Sequence, residues 1–141
     1  MQGKYFQELD CGDEFFFEMT ITETHLVLFA GLTGDFNPVQ TNQRYCEGTN
    51  FKKRVLHGAF TSSFLAAPIG QFFYGTGVAL LELNTSFKKP VFPGNTLLAS
   101  WKIEKLSEKT DCGLVEVACT CKNESDVVVA TATAKVLVQK K

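Results

Sequence analysis

The sequence predicts an α+β domain in which a curved antiparallel sheet covers one buried helix, and three observations carry that prediction. Residues 58–67 mix small side chains (Ala59, Ser62, Ser63, Ala66, Ala67) with large ones (Phe60, Phe64, Leu65), the texture of a helix approached closely on several sides. Four segments, 77–88, 97–106, 114–122 and 127–138, read as long strands, and the last three alternate apolar and polar residues with period two. The stretches between them, KKPVFPGN, SEKTDCG and KNESD, are short and turn-like, which favours an antiparallel meander. The 141 residues match a single domain, 1–141, without internal repeats, low-complexity tracts or linkers.

The earlier elements follow in order. Phe15, Phe17 and Met19 alternate with Phe16 and Glu18, predicting a first strand over about 13–19. Thr22 offers an N-cap oxygen, and Leu26, Phe29, Ala30 and Thr33 recur at helical spacing, so a short helix runs to Gly34. Asp35-Phe36-Asn37-Pro38 then makes a tight turn, because Pro38 pushes Asn37 into extended backbone. Residues 41–54 are polar and broken by Gly48, reading as a short helix followed by a surface loop. The central helix is expected to stop near Pro68 and Gly70. A sheet of this kind leaves edge strands, which two copies of the chain can cover, so a homodimer is expected.

Composition removes several classes of function. With 15 acidic and 14 basic residues, the chain has no electrostatic footprint for nucleic acid. No stretch approaches the roughly 20 apolar residues of a membrane-spanning helix. The start, MQGKYFQELDCGDEF, lacks the order of a signal peptide, so a cytoplasmic location is expected. Five cysteines are too sparse for a disulfide scaffold and are expected to be reduced. Thirteen Phe against one Trp and three Tyr point to dry interiors or an apolar ligand pocket. There is no GxSxG, phosphate-cradling glycine loop or Rossmann fingerprint.

Motif order is more informative than composition. Gly34-Asp35-Phe36-Asn37-Pro38-Val39-Gln40 is followed by His57-Gly58 at the head of the small-residue helix, and then by Ser86-Phe87-Lys88-Lys89-Pro90-Val91-Phe92-Pro93-Gly94-Asn95. This succession, spanning about Phe29 to Val138, resembles the MaoC-like hydratases, the (R)-specific enoyl-thioester hydratases and 3-hydroxyacyl-thioester dehydratases of the hot-dog fold. The resemblance implies a long helix wrapped by a sheet, with active sites near a dimer interface. It also implies acyl-CoA or acyl-carrier-protein thioesters as substrates, in fatty-acid metabolism. No cofactor and no metal are implied, because the thioester itself activates the proton transfers.

In the family the aspartate opens a D-x-N-P-x-H pattern whose Asp and His form the catalytic dyad. Asp35, Asn37 and Pro38 match, and Gln40 stands at the histidine position. Hydration needs a group to take a proton from water, a group to deliver one to C2, and donors for the enolate oxygen. Asp35 can serve as acid and base, whereas the Gln40 amide orients water but exchanges no proton near pH 7, so impaired activity is expected. By the same resemblance the Gly58 N–H, at a helix N-terminus, is the oxyanion donor. Asn37, His57, Phe36 and Phe60 are candidates for substrate binding, and Phe64, Phe72 and Phe73 are further candidates for an acyl tunnel.

Plainer readings stand beside these. Asp35 and Asn37 can be turn formers, Gln40 a simple polar replacement, His57 a turn-orienting residue and His25 a structural one. Cys119 and Cys121 share a strand face but have no second ligand pair, so they read as buried small residues rather than a zinc site. Lys52, Lys53 and Arg54 read as a solvated loop or as a receiver for coenzyme A phosphates or an acidic carrier protein. Two other functions fit the same scaffold, a non-catalytic acyl-thioester-binding protein and a hot-dog thioesterase.

Overall fold

The computed structural model describes residues 2–141. A 3₁₀ turn, Phe6–Glu8, precedes β1 (Glu14–Thr20) and α1 (Glu23–Thr33), and two short helices follow, α2 (Pro38–Thr41) and α3 (Gln43–Glu47). The long helix α4 (Gly58–Phe72) leads into β2 (Gly77–Phe87), β3 (Thr96–Glu108), β4 (Cys112–Lys122) and β5 (Val128–Gln139). The five strands form one antiparallel sheet in the order β1-β3-β4-β5-β2.

The period-two pattern places its apolar positions inward as expected. Leu97, Ala99, Trp101 and Ile103 of β3, Val115, Val117, Cys119 and Cys121 of β4, and Ala130, Ala132, Ala134, Val136 and Val138 of β5 are buried. They pack against Phe64, Leu65 and Ile69 of α4 in one apolar cluster. The Trp101 indole N–H donates to the Leu65 carbonyl at 2.9 Å, satisfying a polar tip that burial would otherwise orphan. Irregular register in β2, β3 and β5 supplies the bulges that let a sheet curve.

Two expectations are corrected. The sheet is not a simple meander, because β2 pairs with β5 at the far edge rather than with β3. Alternation and loop length identify strands but do not choose partners, and only β3-β4-β5 are joined as consecutive hairpins. The central helix also does not stop at Pro68, which lies inside it, nor at Gly70. An interior proline costs roughly 3 kcal/mol. Burial of Phe64, Leu65, Pro68 and Ile69 on one helix face outweighs that cost.

The N-terminal segment is fastened by close contacts. Gly3 N–H donates to the Tyr74 carbonyl at 2.7 Å, just past α4. Gly113 on β4 makes room for the Phe6 ring, which a Cβ at that position would overlap.

Candidate active site

The residues singled out by motif spacing meet where the turn after α1 touches the head of α4. Gly34 ends α1 in the left-handed region (φ 78°), where a glycine carries no Cβ penalty, and its N–H bonds the Ala30 carbonyl at 2.9 Å. The chain then enters an Asx turn in which Asp35 Oδ1 accepts the Asn37 N–H at 3.2 Å. Asn37, extended at φ −53° and ψ 132°, caps α2 by accepting the Val39 N–H on Oδ1 at 3.2 Å. Pro38 follows at the first helical position, where its missing N–H costs nothing.

Two bonds bind this turn to the segment before α4. The Val55 N–H donates to the Val39 carbonyl at 3.2 Å, and His57 Nε2 lies 2.9 Å from the Asp35 carbonyl oxygen. A carbonyl only accepts, so Nε2 carries a proton and donates it in this contact. His57 is 2 % exposed, and its Nδ1 has no hydrogen-bond partner. Gln40 Oε1 is likewise buried and unpaired.

Gly58 comes directly after His57 and is exposed, as is Ala59, so the N-terminus of the 15-residue α4 opens to solvent. First-turn amides lack intrahelical acceptors and carry the positive end of the helix dipole. A Cβ at Gly58 would stand 3.3 Å from the Phe87 ring. Gly58, Phe51, Phe87, Lys88, Lys89 and Val91 belong to the lining of a cleft of about 310 Å³.

Asp35, Asn37, Gln40, His57 and Gly58 are thus gathered into one locality, although Asp35 itself is exposed and Gln40 half-buried. Phe60 sits beside it, edge-on to Phe29 at 5.6 Å, while Phe29 lies 5.1 Å from the His57 ring. Phe36 instead projects outward at 62 % exposure. Phe64 and Phe73 are buried in the core, and Phe72 stacks on Phe15 at 4.3 Å, so these three serve helix-sheet packing instead of lining the open cleft. The aromatic lining comes from Phe51 and Phe87, which motif reasoning left without a role. Phe87 lies in the quoted SFKKPV segment, while Phe51 sits in an aperiodic loop that gave no signal.

His25 has a local structural contact, its Nδ1 accepting the Thr22 N–H at 2.9 Å at the head of α1. Burial pushes the Cys119 and Cys121 thiols up to about 12, with Cys121 adding to the effect on Cys119, so neither is a thiolate near neutrality. Among the described residues, no helix is long and apolar enough to cross a membrane.

A family model described as a MaoC like domain matches residues 10–126. The chain belongs to the MaoC family. It is 32% identical over 116 residues to an (R)-specific enoyl-CoA hydratase of Rhodospirillum rubrum, covering 82% of this chain and 81% of the relative. It is 30% identical over 137 residues to a 3-hydroxybutyryl-CoA dehydratase of Methylorubrum extorquens, covering 97% of this chain and 85% of the relative. The R-hydratase PhaJ1 of Pseudomonas aeruginosa superposes with a TM-score of 0.87 at 26% identity, covering 97% of this chain and 86% of that one. MaoC membership and these neighbours agree in giving the fold as the hot-dog class.

Proposed function

We propose that this MaoC protein adds water to trans-2-enoyl thioesters, or runs the reverse dehydration of 3-hydroxyacyl thioesters. The observation that carries the reading is the exposed N-terminus of α4 at Gly58, tied through His57 to the Asp35 turn. Asp35 takes a proton from water as its oxygen adds to C3, and the double-bond electron pair moves onto the thioester carbonyl. The Gly58 N–H and the dipole of α4 stabilise that oxygen, and Asp35 returns the proton to C2. Gln40 Oε1, an acceptor without a partner, holds the water's second O–H. The two relatives named for enoyl-CoA hydration and 3-hydroxybutyryl-CoA dehydration support the substrate class.

Hydration of crotonyl-CoA by the purified protein and two variants tests this. Wild-type turnover should be measurable, Asp35→Asn should abolish it, and Gln40→His should raise it by about 10²–10⁴-fold, the worth of one positioned acid or base. An unchanged rate in Asp35→Asn overturns the assignment. Gln40 also favours one second reading, a protein that binds acyl thioesters without turning them over. Calorimetric binding with no product would then be seen, and release of free thiol would instead mark a thioesterase.

The protein acts as a homodimer in this reading, joined through the edge strand β2. Val78, Leu80, Leu81 and Phe87 of that strand are all more than 45 % exposed, next to a groove of about 530 Å³ over Ala59, Ser62, Ser63 and Ala66. Sedimentation of Leu80→Glu should show monomer where wild type shows dimer.

A further inference from the structure

We propose that His57 is a positioning residue, whose ring holds the Asp35 carboxylate at a fixed reach from the first-turn amides of α4 and does not meet substrate. This rests on the hydratase reading above and adds to it the residue that sets the distance between its base and its oxyanion donor. His57 is the N-cap of α4, and N-cap side chains ordinarily turn back to accept an N–H of the first turn. The His57 side chain makes no such bond. Its Nε2 donates instead to the Asp35 carbonyl at 2.9 Å, 22 residues back in the chain. The ring is buried 5.1 Å from the Phe29 ring of α1, and it does not line the cleft beside Gly58.

Asp35 is held at three atoms. Its N–H donates to Thr33 Oγ1 at 3.3 Å, its carbonyl accepts from His57, and its Oδ1 accepts the Asn37 N–H at 3.2 Å. Among the described residues Oδ2 enters no hydrogen bond, so it is the oxygen left to exchange the proton. Thr33 and Asn37 are near neighbours in the chain that move with the turn, whereas His57 refers it to another element. The other bond across this junction, from the Val55 N–H to the Val39 carbonyl at 3.2 Å, attaches beyond Pro38. On the helix side, the His57 carbonyl accepts the Phe60 and Thr61 N–H groups at 3.1 and 3.3 Å, while the Gly58 and Ala59 amides stay uncapped by its side chain. His57 therefore bears on the base through its ring and on the oxyanion donor through its own peptide bond to Gly58. Drift of about an ångström between two such groups costs about 10²-fold in rate.

Three replacements test this by their reach, with crotonyl-CoA as the probe. His57→Gln carries an amide donor about as far as Nε2, His57→Asn stops a methylene short but is the better N-cap, and His57→Leu neither reaches nor caps. In the Asn and Leu variants kcat should fall about 10²-fold with KM within about twofold of wild type, and in the Gln variant kcat should recover to within about fivefold. A role in stability alone ranks Asn above Gln, and that order in kcat overturns the proposal. So does a kcat near wild type in His57→Leu, or a rise in KM at constant kcat, which would place the ring on substrate. Amide hydrogen exchange separates this result from the fate of the hydratase reading. If wild type turns over no thioester, faster exchange at Asn37 and Val55 in the Asn and Leu variants than in wild type and Gln, with the β3 amides unchanged, still upholds the clamp. Equal exchange at Asn37 and Val55 in all four proteins removes it.

Discussion

The two ends of α4 are built on opposite principles. Its C-terminal half is dry: Phe64, Leu65, Pro68 and Ile69 are buried, and the Leu65 carbonyl is paired with Trp101. Its head is open, with Gly58 and Ala59 exposed and the His57 and Gln40 side chains close behind. One element thus stores stability at one end and unspent hydrogen-bonding capacity at the other. The difference teaches that a helix fastened to the sheet by one half can present the free N–H groups of its first turn at an open surface.

Substitutions at the two ends should therefore move different observables. The largest effect is expected from Trp101→Ala, which removes a fully buried ring and the partner of Leu65. Denaturant unfolding should show a loss of about 3–5 kcal/mol, while KM of the molecules that remain folded stays near wild type. An equal loss of substrate affinity would mean that the two ends are not separable.

Gly58→Ala should do the reverse. The new methyl meets the ring of Phe87, a half-exposed side chain that can give way, and alanine favours a helix over glycine by roughly 0.5–1 kcal/mol. Stability should hold or rise slightly while crotonyl-CoA hydration falls about 10²-fold, the scale expected when a reacting group is displaced by an ångström. Unaltered turnover would show that the α4 head does not touch substrate.

The smallest effect is expected at Pro68→Ala. Restoring a helical N–H is worth about 3 kcal/mol, and losing two buried methylene groups costs about 1.6 kcal/mol at 0.8 each. A net gain of about 1.4 kcal/mol is expected in thermal or denaturant unfolding. A loss would show that the ring fills space the helix needs more than its missing bond.

Legibility in the sequence followed the physics of each level. The strands of the second half were readable because one buried face enforces period two, as in Val115 to Cys121. The partner of β2 was not, since its exposed residues carry no record of which edge they occupy. Pro68 misled the helix boundary because local propensity was judged without the sheet that covers it. At the site, the Asp35 turn and His57-Gly58 were visible as motifs whose neighbourhood depends on two backbone bonds. The cleft lining was less visible: Phe51 and Phe87 occupy opposite walls, far apart in the chain, and Lys52 to Arg54 looked free only because their partners at Glu23, Glu47 and Phe92 are set by tertiary structure.

The empty side chain of Gly113, filled by the Phe6 ring, has a consequence for substitution. A change at a position lining the open cleft has solvent on one side to accommodate it. Gly113 touches no candidate substrate group, yet a single methyl would evict an aromatic ring and release the first turn of the protein. Gly113 shares the buried face of β4 with Val115 and Val117, and its demand there is one of packing alone, answered by a ring at the start of the chain and by no candidate site residue.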